Sequence, residues 1–244
     1  MRFDGRSTRF YERTKLEVPV EITYFGSEDT AWTENTLTEE LTICGAGFTL
    51  SRPVYPKHLI KLRLAMPKNL RLFDFGKEIY EVWGIISSVQ IVRTENPQQV
   101  RFKIGTALIG ANPPPGFLRD PATLYDLNPV LRRQGFWNFR ELPRNRGRFA
   151  RALTNRRKLK NIVIFETINN YGQIVESVRA ETADISEGGM ALTAKLTKGC
   201  TEYVIIRSKD EPISLLAKVH HAHALDEEGN LKIHLEFISG EWII

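Results

Sequence analysis

The sequence predicts an all-β fold with short helices: two small antiparallel six-stranded barrels joined by an arginine-rich, partly helical linker. Three observations carry this. Apolar and polar residues alternate in short runs rich in Val, Ile, Thr and Tyr, with turn residues between them and no sustained helical period. The pattern of the first half returns in the second, which marks an internal duplication. Between the halves lies a proline-punctuated and then arginine-dense stretch of different composition.

In chain order, residues 1–14 are polar and basic and end in Arg9-Phe-Tyr-Glu-Arg13. Val18 to Phe25 reads as a strand, with Pro19 marking an edge or a strand start. Gly26-Ser-Glu-Asp29 is a turn, and Thr36 to Ile43 is a second strand closed by Cys44-Gly-Ala-Gly47. Phe48 to Leu50, His58 to Ala65, Ile79 to Val92 and Gln99 to Ile109 complete six strands, the last two joined through Glu95-Asn-Pro97. Asn112-Pro-Pro-Pro-Gly116 then breaks the pattern. Asp120-Pro121 and Asn128-Pro129 each have the form of a helix cap followed by a first-turn proline, and Gly135 is placed to stop the second helix. Phe136-Trp-Asn-Phe139 is too apolar for a free linker and is expected to pack on a barrel. Phe149 and Leu153 are four apart, a helical contact spacing. Ile162 to Ile168, Ile174 to Ala183, Met190 to Leu196, Tyr203 to Arg207, Ile213 to His223 and Leu231 to Ile238 are the second set of six strands. The expected domains are 1–116, a linker at 117–155, and 156–244.

The two sets align. Arg13 to Ile22 lies over Arg157 to Glu166, Glu40 to Gly45 over Asp184 to Gly189, and Lys103 to Leu108 over Lys232 to Phe237.

The chain has 244 residues, 42% hydrophobic and 26% charged, enough for two folded units with their own cores. Net charge is +5, but nine arginines lie between Arg132 and Arg157, a cluster suited to phosphates, acidic proteins or a membrane surface. The two cysteines, Cys44 and Cys200, are far apart and lack metal spacing, which favours a reducing compartment. The N-terminus lacks the apolar core of a signal peptide, and no apolar run approaches the 18 or so residues of a span. The expected location is the cytoplasm.

Candidate chemistry concentrates between Asn155 and Leu192. The arginine pair Arg156-Arg157 precedes a β-like run, a polar turn and a second run that ends in Asp184-Ile-Ser186-Glu-Gly-Gly189. Arginine can fork onto phosphate or stack on a base. A carboxylate accepts from the N–H edge of a guanine, and a hydroxyl with bare glycine N–H groups can contact a ligand closely. This arrangement resembles the PilZ domain, a small β-barrel family whose binding members capture cyclic di-GMP through R-x-x-x-R before the first strand and D/N-x-S-x-x-G after the second. Asp184, Ser186 and Gly189 match the second half. By spacing to the strand, Arg157 takes the second-arginine place and Leu153 the first; Arg156 and Arg151 stand close enough to substitute, and Arg156 to Lys160 forms an R-x-x-x-K variant. The first half carries a full Arg9-x-x-x-Arg13 clamp but a turn of Glu40-x-Thr42-x-x-Gly45, one methylene and one methyl larger, and a one-carbon misfit costs about 1–3 kcal/mol.

Three alternatives stay open: binding in the second half with substituted arginines, binding in the first through its clamp, or two scaffolds that bind only protein. The resemblance implies a ligand, cyclic di-GMP, with no cofactor and no metal, and an adaptor acting on motility, biofilm or type IV pilus functions through an unidentified protein partner. A homodimer is compatible with it. Nucleic-acid binding by the arginine segment lacks a helix-turn-helix or stacking motif. His220, His221 and His223 have no cysteine or carboxylate at ligand spacing; strand alternation places His221 and His223 on one face and His220 on the other. Gly45-Ala-Gly47 lacks the G-K-[ST] of a phosphate loop. Trp83, Trp137 and Trp242 read as core or interface. With no nucleophile–base pair or paired carboxylates, the expected protein is not an enzyme.

Overall fold

A computed structural model describes residues 14–26, 31–131, 135–142, 156–208 and 213–239. Arg9, Arg13, Arg151, Leu153, Phe149 and Trp242, all named above, lie outside the described residues. Two closed six-stranded antiparallel barrels account for nearly all of the structure.

In barrel one, β2 (Pro19–Tyr24), β3 (Trp32–Thr42), β4 (Gly45–Leu50), β5 (Leu59–Leu64), β6 (Tyr80–Arg93) and β7 (Val100–Gly110) close in the order β3-β2-β5-β6-β7-β4, with β4 pairing back onto β3. A two-residue strand, β1 (Thr14–Lys15), extends the edge along β3. A 3₁₀ turn, Lys68–Leu70, joins β5 towards β6. Period-two alternation fills the interior: Val20, Ile22 and Tyr24 of β2 are buried while Pro19 is exposed and Glu21 and Thr23 are half-buried.

Barrel two repeats this with β10 (Ile162–Ile168), β11 (Ile174–Ser186), β12 (Gly189–Lys195), β13 (Tyr203–Ser208), β14 (Ser214–Ala224) and β15 (Asn230–Phe237), in the order β10-β11-β12-β15-β14-β13. Even the irregularities repeat. The β3–β4 ladder slips between Thr38 and Glu40, and β11–β12 between Thr182 and Asp184. The β6–β7 ladder slips between Ile86 and Ser88, and β14–β15 between Val219 and His221. Bulges recur because each re-aims the residues that follow it.

The linker departs from expectation. The helix α1 (Pro115–Arg119) starts with proline at its first position, and Asp120 caps its C-terminal end instead of opening a helix. Asn128-Pro129 lies within a strand, β8 (Tyr125–Leu131), where the register slips between Asn128 and Leu131 and so leaves the proline outside the ladder. Gly135, at φ +86°, turns the chain into β9 (Trp137–Glu141). The signal for a hairpin lay in the apolar Phe136 to Phe139 run, which does pack on a barrel. Phe136 joins the barrel-one core, and Trp137 and Phe139 cover an outer layer made by Leu59, Trp83, Ile85 and Ile109.

The barrels meet through a buried layer. Val204, Ile206, Leu215 and Ala217 fill barrel two, while the alternate residues Tyr203, Ile205 and Leu216 belong to the core of barrel one. These strands are apolar on both faces, which is why they read as continuous hydrophobic runs. At the other side, the β10–β11 turn lies on the end of β7. Val100 N donates to Gly172 O at 2.9 Å, and Ile174 N to Gln98 O at 2.9 Å. A Cβ on Gly172 would stand 2.4 Å from the Val100 carbonyl, so the approach needs glycine. Glu166, 3% exposed, accepts from Arg93 of barrel one at 2.8 Å and from Arg207 of its own barrel at 2.7 Å.

Candidate functional site

The arm before β10 is bound along the end of β11. Arg157 N donates to Ile185 O and Ile185 N to Arg157 O, both at 2.9 Å. Thr182 fixes the register. Its hydroxyl accepts from Asn161 N at 2.9 Å and donates to the Leu159 carbonyl. Barrel one makes the same latch, with Thr38 accepting from Val18 N at 3.0 Å and donating to the Leu16 carbonyl. Sequence reasoning missed both threonines. The signal was present: each stands two residues before the motif carboxylate, in Thr38-x-Glu40 and Thr182-x-Asp184.

These latches correct the alignment of the arm by one residue. Leu16 corresponds to Leu159, and the pairs Thr14–Leu41 and Arg157–Ile185 correspond. Arg156, not Arg157, therefore holds the register of Arg13. Counting four back reaches Ala152 in place of Leu153. The error arose because the β2–β3 and β10–β11 connections differ in length by one residue, which a single ungapped alignment hides.

The bulge after Thr182 lets two successive turns of alternation face differently. Thr182 and Ile185 are buried, and Asp184 turns outward with a quarter of its side chain exposed. There Arg156 Nη1 donates to Asp184 Oδ1 at 2.9 Å. Arg157 is exposed and anchored by its backbone. Ser186 is buried, and its Oγ donates to the Gly189 carbonyl at 3.1 Å, closing the turn while the oxygen keeps acceptor capacity. Gly189 is required by packing: a Cβ there would lie 2.1 Å from the Leu235 carbonyl. Gly188, at the turn's tip, is different: a Cβ added there would meet nothing within 4 Å, so the turn is open to approach. In barrel one, Thr42 Oγ1 donates to the Gly45 carbonyl at 3.3 Å and accepts from Cys44 N at 3.3 Å, so the larger hydroxyl residue preserves the same turn.

Beside each turn lies the outer face of the sheet. In barrel one it is a cleft of about 260 Å³ lined by Glu40, Thr42, Gly47, Ser88, Gln90 and Gly105, among others. In barrel two the same register positions hold Asp184, Ser186, Ala191, His221, His223 and His234. The His223 and His234 rings are stacked at 5.9 Å between centroids and 21° between planes. Burial, then the positive charges of Lys232 and Arg156, push the His234 pKa below the usual imidazole value, against the pull of Asp184. His220 differs from the expected orientation. The bulge between Val219 and His221 brings it onto Glu236, with Nε2–Oε2 at 2.6 Å, and Glu236 Oε1 accepts from Tyr55 of barrel one at 2.9 Å. Among the described residues, no three His, Cys, Asp or Glu side chains gather as metal ligands. No helix among them is long and apolar enough to cross a membrane.

No family model matches the chain, and no curated protein matches it. Among solved structures, the chain is similar to the Bacillus subtilis inhibitor of motility MotI/DgrA, with a TM-score of 0.26 and 12% identity over 90% of this chain and 87% of that one. It is similar to Borreliella burgdorferi PlzA in complex with c-di-GMP, at 0.30 and 11% over 93% and 86%. It is also similar to the K. pneumonia MrkH–c-di-GMP complex, at 0.28 and 14% over 90% and 79%. Likeness at this level assigns no role to any residue, and the site rests on its own geometry.

Proposed function

We propose that the chain is a tandem PilZ-type receptor for cyclic di-GMP, a cytoplasmic binding protein and not an enzyme, with its nucleotide site on barrel two. The observation that carries this is the guanidinium–carboxylate pair of Arg156 and Asp184, set side by side at 2.9 Å on a latched arm beside an open glycine turn. The pair offers both halves of what a guanine nucleotide needs. Asp184 accepts from the N–H edge of a guanine, and Arg156, with Arg157 next to it, donates to phosphate or stacks on a base. The exposed pair itself is worth only about 0–1 kcal/mol, so exchanging it for ligand contacts costs little. Ser186 and Gly189 hold the turn that presents the carboxylate.

The bound nucleotide is signalled to barrel one, changing the inter-barrel arrangement and so the surface shown to a protein partner. The site's neighbour Glu236 supports this route, because it joins His220 to Tyr55 across the interface. Outputs in motility, biofilm or type IV pilus control follow from the PilZ resemblance. A second reading, a ligand-independent protein-interaction module, is favoured by the same ion pair, which satisfies Arg156 and Asp184 without any ligand.

Isothermal titration separates these readings. The receptor reading expects saturable heat with cyclic di-GMP; a flat titration supports the interaction module. A DNA duplex titrated at two salt concentrations is the control, because phosphate-only binding weakens steeply with salt.

A further inference from the structure

The two barrels share a turn, a latch and a pair of bulges, yet differ sharply on the surface beside the turn. In barrel one, Gly47 and Gly105 face each other across β4 and β7 in the floor of the cleft, with the small Ser88 side chain beside Gly105 and no ring at either place. In barrel two those places are Ala191 and His234, and His234 pairs across the next ladder with His221. His223 lies two pairs further along, opposite Lys232, and its ring stacks on that of His234. His234 also lies close enough to Arg156 and Asp184 to feel both charges. A stacked imidazole pair thus shares the outer face of barrel two with Asp184, where the described residues of barrel one hold Gln90 and Gly105.

We propose that His234 and His223 form a stacking platform for one guanine of the ligand, and that this platform, more than the arginine spacing, determines that barrel two is the nucleotide-binding barrel. The inference rests on the receptor reading above. The chemistry is direct. A base has two flat faces and needs a flat partner, which imidazole provides and a glycine–glycine cleft does not. Asp184, Ala191 and His234 form one cross-strand row, so a base held on its face by His234 would turn an edge along that row towards Asp184. Barrel one, with Gln90 and Gly105 at these positions, has the turn without the platform.

The test is isothermal titration of cyclic di-GMP into the full chain and its variants, with thermal melts to confirm folding. Base stacking on an aromatic side chain is worth about 1–3 kcal/mol, about 5- to 150-fold in affinity. His234→Ala is expected to weaken binding within that range, His234→Phe to retain most of it because phenylalanine keeps a flat face, and His223→Gln to give a smaller loss. If the wild type binds and Asp184→Ala weakens it, while His234→Ala and His223→Gln bind as the wild type does, the platform is overturned and the receptor reading stands. Equal losses in His234→Ala and His234→Phe, with unchanged melts, overturn the stacking role. No binding by the wild type overturns the receptor reading itself, and the platform with it.

Discussion

Two side chains show how much one residue decides. The one-place shift in the arm separates the roles of neighbouring arginines: Arg156 reaches Asp184, while Arg157 contributes its backbone to Ile185. Arg156→Ala is therefore expected to weaken cyclic di-GMP binding by about 10-fold or more, the loss of a charge-assisted bond, and Arg157→Ala by less. Titration of both variants checks the order, and a reversed order contradicts the register. His58 is a different case. Burial, then the nearby Lys218 of barrel two, lowers its pKa to about 4, and its Nδ1 shares a hydrogen bond with the Tyr24 hydroxyl at 2.8 Å. Unfolding restores a value near 6.5, so the folded state binds this proton less readily than the unfolded chain. The stabilisation is complete above about pH 6.5 and is lost as pH falls towards 4, roughly 3 kcal/mol in all. Thermal melts from pH 8 to 4 are expected to fall more steeply for the wild type than for His58→Gln; parallel curves contradict this.

At the scale of elements, the twelve barrel strands were legible because alternation, β-branched content and turn residues agree along most of the chain. Ile205 and Leu216 show where alternation is broken for a reason, since they bury a second face against barrel one. What could not be read was anything set by one residue of register: the bulges at Thr182 and Val219, the arm offset, and the outward turn of His220. A slip of one residue exchanges faces, and the sequence carries no mark of it. The linker hairpin was missed because Asp-Pro and Asn-Pro suit a helix start and a strand irregularity alike. The threonine latch is the element-scale feature on which the site depends. Thr182→Val keeps the shape but removes the partner of Asn161 N and Leu159 O. It is expected to cost about 1–3 kcal/mol in stability and to weaken nucleotide binding by loosening the arm. Chemical denaturation with a parallel titration checks both effects, and unchanged stability would show that the latch is idle.

The whole molecule is two barrels fused by a shared core, so the arginine arm is one connection among several. A swing about the arm alone would expose Ile205 and Leu216, both fully buried, and separate Glu166 from Arg93. Glu166→Ala leaves two guanidiniums without their common carboxylate. Both arginines are about two-fifths exposed, so the cost is expected at roughly 1–3 kcal/mol, below that of a fully buried pair. Differential scanning calorimetry should then show the barrels unfolding in separate transitions, whereas an unchanged single transition would mean that the apolar layer alone couples them. Small-angle scattering with and without cyclic di-GMP reports whether the signal moves the barrels. The central claim, that barrel two is a cyclic di-GMP site built on Asp184, is tested most directly by titrating the nucleotide into the wild type, Asp184→Ala and Glu40→Ala side by side. The account predicts saturable binding by the wild type, a roughly 10- to 100-fold loss in Asp184→Ala, about the worth of one charge-assisted hydrogen bond, and near wild-type affinity in Glu40→Ala. Binding that survives Asp184→Ala and disappears in Glu40→Ala would place the site on the other barrel and contradict it.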